Sequence, residues 1–400
     1  MSPIRVGLFG NFYPQTERSA SCTTGMAFLL ANHEAISSVV VFAQVGAVLP
    51  RELKSAIARL VPVWNPRNPL SFLSSLRSLV SAAEVVDVYL FNIYLTSFGR
   101  GYLTNALGLL LPTCVARLSG RPVFVYMHNL LETQEIEKLG YRPSLPVRTI
   151  VRRLESGLLT STTMLVPLES QSRTIAQDYG VSPIPIFLPY IDIAFSATAT
   201  TRIQDQGRSK PTEANRGRVA RILMLGSWGP QKDLIGALRV LRKLRQTGRV
   251  FHVTIGGEAN KNFPVYATRL REYALEFGDE DFTFLGHVPD SDLPVLLSEH
   301  DILLLPYTAT GGQSGVLNLG AFAGLELVAY DLPQLRETAT VLGCEVTFVD
   351  AHDPSALQRA IDVSIHKIES TGRATATPQA SMDRLRAAFG RIVDVMRKSA

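Results

Sequence analysis

Short apolar runs alternate with longer segments of helical spacing along almost the whole chain. In the first half the runs are IRVGLFG (4–10), SSVVVFAQV (37–45), VVDVYLFNIY (85–94) and RPVFVYMHN (121–129), followed by TMLVPLES (163–170) and IPIFLPYI (184–191). They are rich in β-branched and aromatic residues, as strands buried on both faces require. Between them lie segments such as LSFLSSLRSLVSAA (70–83), where Leu70, Leu73, Leu76 and Val80 share one helical face. The pattern breaks at Ser196–Arg218, a polar stretch with almost no large apolar residue that reads as a linker or exposed loop. It then restarts with ARILMLG (220–226), a helix in which Leu234, Leu238 and Leu241 align, FHVTIGG (251–257) and a helix through YATRLREYALEF (266–277). FTFLGHV (282–288), DLPVLLSEH (292–300), DILLLPY (301–307), LELVAYD (325–331) and CEVTFVD (344–350) complete the series.

Strands separated by helix-length segments predict parallel sheets built from βαβ units. The fold expected is α/β, with two doubly wound Rossmann-like domains whose parallel sheets face a cleft. The boundaries are an N-terminal domain over 1–195, a linker over 196–218, a C-terminal domain over 219–375, and a C-terminal amphipathic helix over 376–400 that packs back on the N-terminal domain. Ligands of such sheets gather at the carboxyl ends of the strands, so the loops there are where chemistry is sought.

Composition narrows the picture slightly. Hydrophobic residues make up 46% of the 400 and charged residues 19%, which is a folded globular chain. A formal net charge of +5 suits an anionic small substrate or an acidic membrane surface, and does not by itself argue for nucleic acid. Cys22, Cys114 and Cys344 are odd in number and far apart, with no disulfide or metal spacing, which favours a reducing compartment. The strand-like IRVGLFGNF begins shortly after Met1, without the basic start and long apolar core of a secretory signal. The most apolar window, ALGLLLPTCV (106–115), contains a proline and falls short of the roughly 20 residues that span a bilayer. It is read as a buried helix, and the expected location is cytoplasmic, with peripheral contact at the inner face of a membrane left open.

Four post-strand loops carry candidate chemistry. After the first strand, SASCTTG leads into an apolar helix, so Thr23, Thr24 and Gly25 are candidates for a helix start that offers N–H groups, against the plainer reading of an ordinary cap. His128, followed by Asn129, ends a predicted parallel strand. Lys232 lies in LGSWGPQKDL, where Gly226 and Gly229 permit a tight turn and Pro230 pre-sets a helix start. A lysine there offers a point charge to a diphosphate, although a solvated lysine is the alternative. In TGGQSGVLNLG (310–320), Ser314 or Gln313 can cap the next helix, and Gly315, Val316 and Leu317 supply its first N–H groups. Such groups suit a phosphate without any charged side chain. The pairs Glu132/Glu135 and Asp290/Asp292 read as caps or solvated positions, and Arg148, Arg152 and Arg153 lie on a helix with apolar partners that could meet acidic headgroups. A P-loop is absent, and no G-x-G-x-x-G follows the first strand.

The segment FLGHVPDSDLPVLLSEHDILLLPYTATGGQSGVLNLGAFAG (284–324) resembles the C-terminal half of glycosyltransferase family 4 enzymes of the GT-B fold, in particular a subgroup with Q-S-G-V-L in the donor phosphate loop. LGSWGPQKDLIGALRVL is similar to that family's glycine–lysine loop, VYMHN to its strand ending in histidine, and RRLESGLLTSTTMLVPLES to its later helix and strand. The resemblance implies a hexosyltransferase-type enzyme. It would move a sugar from a nucleotide-sugar donor to a saccharide or lipid-linked acceptor, with retention, in polysaccharide or glycolipid assembly. It implies that His128 sits near the transferred sugar and that Lys232 holds the donor diphosphate. Gly229, Gln313, Ser314, Gly315, Val316 and Leu317 would line the donor site, Val288 would meet the base through its backbone, and Thr24, Gly25 and Asn129 would lie on the acceptor side. No cofactor and no metal are implied, and no nucleic acid partner.

The family's two loop glutamates align here with Gly312 and Gly320, and the arginine usually preceding the lysine is missing, with Arg336 a substitute. These departures keep an alternative in view: a non-catalytic GT-B protein that binds nucleotide or glycan, or supports an active partner. An epimerase on the same scaffold would need a carboxylate base for which no clear candidate stands out.

Overall fold

The computed structural model describes residues 2–13, 18–53, 57–94, 102–129, 144–188, 219–260, 262–275, 281–371 and 378–400. The polar stretch 196–218 and the pair Glu132/Glu135 lie outside the described residues. The chain divides into two compact units. Most of the first is built from residues before 194, and it also takes in Asp383–Ala400; most of the second spans residues 194–382.

The first unit contains a parallel sheet of β1 (Ile4–Phe9), β2 (Ile36–Gln44), β3 (Ala58–Trp64), β4 (Val88–Ile93), β5 (Val123–Met127), β6 (Thr163–Val166) and β7 (Ile184–Pro185). Their order in space is β3-β2-β1-β4-β5-β6-β7. The central β4 and β5 are buried at every position, which is why their sequences show continuous apolar runs rather than alternation. Between the strands run α1 (Arg18–Ala31), α2 (Ser71–Ser81), α3 (Tyr102–Ser119), α4 (Leu145–Ser161) and α5 (Glu169–Tyr179). The apolar window around Leu109 is the middle of α3, and it tolerates Pro112 inside the helix. Its buried side, Leu109, Leu111 and Val115, joins Phe91, Val125 and Leu158 in one core.

Two readings of this half need correction. Strand β3 (ARLVPVW) was not among the strands expected, and it carries Pro62, which has no N–H for a ladder. It is tolerated because β3 is the edge strand, with Pro62 opposite Ala43 of β2. The helix start expected at Thr23–Gly25 is also displaced. α1 already begins at Arg18, so Thr23, Thr24 and Gly25 lie inside the helix and their N–H groups are not those of its first turn.

The second unit repeats the plan with β8 (Ala220–Leu225), β9 (Phe251–Gly256), β10 (Phe282–Gly286), β11 (Ile302–Leu305), β12 (Glu326–Tyr330) and β13 (Thr347–Val349), ordered β10-β9-β8-β11-β12-β13 and all parallel. Its helices are α6 (Leu234–Gln246), α7 (Pro264–Leu275), α8 (Leu293–Ser298), α9 (Gly315–Ala323), α10 (Pro333–Leu342) and α11 (Pro354–Thr371). The last helix of the chain, α12 (Pro378–Ser399), contributes its residues from Asp383 onward to the first unit. α6 buries Leu234, Leu238, Leu241 and Leu244 against Ile222, Met224 and Val253 of the sheet. In each unit the strand order reverses once, between β1 and β4 and between β8 and β11. There adjacent loops diverge to opposite faces and leave a crevice at the carboxyl ends, which positions both candidate sites.

Candidate functional site

In the second unit the chain leaves β8 through Gly226, whose φ of 124° falls outside the ordinary range of residues with a Cβ. Trp228 then anchors the loop: it is buried, its N–H donates to the Glu258 carbonyl (2.7 Å), and its ring meets Phe284 edge-on. Pro230–Lys232 form a single 3-10 turn, and the helix proper starts later, at Leu234. Asp233 is the N-cap, with φ 38°, and its carboxylate accepts from the Gly236 N–H (3.2 Å) and the Tyr330 hydroxyl (3.2 Å). Burial holds its carboxyl above the usual range, against those two hydrogen bonds. Lys232 therefore precedes the helix instead of lying in its first turn. Its Nζ stands 3.1 Å above the centre of the Tyr307 ring, in the loop after β11. The Thr308 N–H donates to the Gln231 carbonyl (2.9 Å), tying the two switch-point loops together. Gly229 has extended backbone, yet a Cβ there would lie 2.4 Å from Gln231 Oε1, so its lack of a side chain makes room for Gln231.

The loop after β11 ends in a well-formed cap. Ser314, not Gln313, is the N-cap, and its Oγ accepts from the Leu317 N–H (3.2 Å). The first intrahelical bond runs from the Asn318 N–H to the Ser314 carbonyl (3.1 Å). Leu317 thus directs its N–H to the cap, while the N–H groups of Gly315 and Val316 lie ahead of the first intrahelical bond. Those two, at the positive end of α9, are the groups able to meet an anion. Asn318 was not singled out from the sequence. It is 3% exposed and neither end of its carboxamide has a partner among the described residues. A polar residue one turn into an otherwise apolar helix was the available signal.

The two glycines aligned with the family glutamates have steric reasons of their own. Gly312 has φ 149°, a conformation that residues with a Cβ rarely adopt. Gly320 faces the sheet: a Cβ there would come within 2.4 Å of Leu303 Cδ2 and 2.8 Å of Leu327 Cδ2. A side chain at 320 would enter the core and could not reach the loop, so the aligned position is not a ligand-facing one. Arg336 does not stand in for the missing arginine. It is paired with Asp331, Nη2 to Oδ2 at 2.7 Å, with its guanidinium over Phe348. Val288 is half-buried beyond β10, with its side chain packed toward Gly256 at the end of β9.

In the first unit the carboxyl ends of β4 and β5 meet α1 around His128. The Asn92 amide donates to Thr23 Oγ1 (2.8 Å), so its Oδ1 is left to accept, and His128 Nε2 lies 2.7 Å from it. Nε2 therefore carries the hydrogen. Tyr94 stacks on the imidazole at 3.8 Å, and Gln171 donates to the His128 carbonyl (3.1 Å). Burial drives the imidazole pKa down to about 3, so His128 is neutral near neutral pH. Cys22 Sγ is 3.8 Å from the same nitrogen, but burial pushes its thiol up to about 12, which excludes a thiolate nucleophile. Gly10 is required here, because a Cβ would lie 2.6 Å from Thr23 Oγ1. Sequence reading found His128 but not Asn92, Thr23 as its relay, or Tyr94; these lie on other elements and only the fold unites them. Thr24 is buried in α1 and Gly25 half-buried, while Asn129 directly follows His128.

Two outcomes follow from this geometry. By nitrogen NMR, His128 is a single neutral Nε2–H tautomer that does not titrate between about pH 5 and 8; titration near the ordinary histidine value would contradict the buried network. Gly320→Ala lowers unfolding free energy by about 1–3 kcal/mol through overpacking, read by denaturant titration. An unchanged midpoint would show that α9 does not rest on Leu303 and Leu327 as described.

Comparison with known proteins adds the following. Residues 219–366 match the family described as Glycosyl transferases group 1. No curated protein sequence matches the chain. Among solved structures, Anabaena HepE in complex with UDP is similar at 13% identity and a TM-score of 0.65, over 100% of both chains. A glycosyltransferase from Rickettsia africae is similar at 12% identity and a TM-score of 0.67, over 100% of this chain and 99% of that one. The sucrose-phosphate synthase of Thermosynechococcus elongatus is similar at 14% identity and a TM-score of 0.62, over 99% and 98%. With its two all-parallel, doubly wound units and this full-length correspondence, the chain has the GT-B fold.

Proposed function

We propose that the protein is a glycosyltransferase that moves a hexosyl group, with retention, from a nucleotide-sugar donor to a saccharide or lipid-linked acceptor, in polysaccharide or glycolipid assembly. The observation that carries this is the switch point of the second unit, where Lys232 lies on Tyr307 in the loop that leads to the Gly315 and Val316 N–H groups. These are three hydrogen-bond donors, one charged and two at the positive end of a helix, on two loops joined by a hydrogen bond. The chemical demand of sugar transfer is the departure of a nucleoside diphosphate, which gains negative charge as the glycosidic bond breaks. Donors fixed in advance stabilise that charge without reorganising, and each contributes on the order of 3 kcal/mol to the barrier. The ammonium of Lys232 and the helix end supply this without a resident metal. Gly229, Gln313, Ser314 and Val288 complete the donor side of the proposal, and the neutral His128 serves the sugar through hydrogen bonding, not as a proton carrier. Thr24, Gly25 and Asn129 are assigned to the acceptor side.

Three lines support the reading. The match to Glycosyl transferases group 1 covers both donor loops. Anabaena HepE has been crystallised with UDP, with UDP and glucose, and with UDP-glucose, which favours a uridine nucleotide here. Trehalose-phosphate and sucrose-phosphate synthases share the fold. A cytoplasmic location is part of the proposal; separately, among the described residues no helix is long and apolar enough to cross a membrane. One observation favours a second reading, a GT-B protein that binds donor without transfer: the backbone at Gly312 and the core packing at Gly320 leave no room for the carboxylates aligned there.

Thermal stabilisation by UDP-, GDP- and dTDP-sugars, followed by assay of donor hydrolysis and transfer, tests the proposal. A uridine sugar stabilises the wild type, and Lys232→Ala lowers turnover about 100- to 1000-fold while the protein stays folded. Binding with neither hydrolysis nor transfer across a broad acceptor panel would leave only the second reading, and no binding would dismiss both.

A further inference from the structure

We propose that Asp233 is a positioning residue for Lys232: its carboxylate, tied to the Tyr330 hydroxyl at the end of β12, fixes the turn that holds the ammonium over Tyr307. The consequence for ligand binding rests on the donor site proposed above; the placement of the lysine does not. Asp233 is an unusual choice for its backbone conformation. Its φ and ψ are 38° and 40°, in the left-handed region, and among the described residues every other positive φ belongs to a glycine. Glycine would occupy this place without steric cost, so the side chain is kept for what it does. Burial also pushes the carboxyl up, against the hydrogen bonds from Gly236 and Tyr330 and the nearby charge of Arg239. Residue 236 in turn has to be glycine, a poor helix former, because a Cβ there would overlap the Asp233 carboxylate. A helix cap needs none of these features. Ser314 caps α9 from ordinary extended backbone, with the same 3.2 Å bond to the N–H three residues on.

What the arrangement does provide is a fixed backbone on both sides of Lys232. Ahead of it, the Lys232 N–H donates to the Gly229 carbonyl (2.9 Å) and the Asp233 N–H to the Pro230 carbonyl (3.1 Å), which closes the 3-10 turn. Behind it, the Asp233 carboxylate accepts from the Tyr330 hydroxyl (3.2 Å), and the Ile235 N–H donates to the Tyr266 hydroxyl of α7 (3.3 Å). Tyr330 is an immobile anchor: it is 3% exposed and packs in the core with Ile222 and Val328. Its strand, β12, lies beside β11, the strand that delivers Tyr307. One strand thus supplies the ring beneath the ammonium, and the next holds the residue that follows the lysine. With its backbone fixed at both ends, the long lysine stem has fewer conformations to lose when it settles on the ring.

The test is NMR of the full chain labelled with carbon-13 at lysine Cε, together with UDP titration of the same variants. In the wild type the Lys232 Cε–H signal, identified by its loss in Lys232→Ala, lies upfield of exposed lysines because the Tyr307 ring shields it. Asp233→Ala and Tyr330→Phe each move that signal toward the exposed position. Each also lowers UDP affinity about tenfold, the loss expected when the productive lysine position is occupied about a tenth of the time. Asp233→Asn retains both properties, since asparagine tolerates the left-handed conformation, its oxygen accepts from Gly236 and its amide can donate to the Tyr330 oxygen. Tyr330→Phe keeps the ring in the core, so its effect is not one of unfolding. A Lys232 signal that stays upfield in Tyr330→Phe overturns the proposal. So does Asp233→Ala that loses thermal stability while the signal and UDP affinity stay unchanged, which would make Asp233 a helix cap only. If the wild type binds no UDP, the donor reading falls, and the lysine signal alone decides the positioning role.

Discussion

The contact on which the proposed donor site depends is the one between Lys232 and Tyr307, 3.1 Å from ammonium to ring centre. It joins a loop after β8 to a loop after β11, the two strands between which the sheet order reverses. A lysine has a flexible stem and loses considerable freedom when it is fixed. The Tyr307 ring supplies a face for the cation, and the Thr308–Gln231 backbone bond holds that face in register. Tyr307 is itself buried and donates its hydroxyl to the Leu225 carbonyl (3.3 Å), so the platform is anchored to the end of β8. The charge is therefore positioned by the sheet and not by its own loop.

A second constraint acts through the glycines. Gly312, Gly320, Gly10 and Gly229 are not interchangeable spacers: one holds a backbone conformation hostile to a Cβ, and the others make way for Leu303, Thr23 or Gln231. This changes the meaning of the missing carboxylates. The proposed donor site relies on backbone N–H groups, and the space a pair of glutamates would use is already taken by the core or denied by the backbone. The first unit follows the same economy of charge, with a neutral histidine held by Asn92 and Thr23.

Much of this was legible in the sequence, for identifiable reasons. Buried parallel strands are continuous apolar runs, so β4, β5 and β11 announced themselves, and Ser314 before an apolar helix marked its cap. Where the sequence misled, tertiary context had overridden a local rule. Strand β3, with Pro62 at a sheet edge, was missed altogether, and the small polar run around Thr23 suggested a helix start but continues α1 under packing from the sheet. Lys232 was found, whereas its partner Tyr307 was not, because the two lie far apart in the chain and meet only at the switch point. The steric role of Gly320 was equally hidden, since it depends on Leu303 and Leu327 across the helix–sheet interface.

The central claim is that a nucleoside diphosphate rests on the first turn of α9 beside Lys232. It is tested most directly by amide chemical shifts during a UDP titration. The account predicts large, saturable shifts at the Gly315 and Val316 N–H groups and at the backbone of Lys232, and little change at Leu317, whose N–H is held by Ser314. Saturable UDP binding that leaves Gly315 and Val316 unshifted would contradict it.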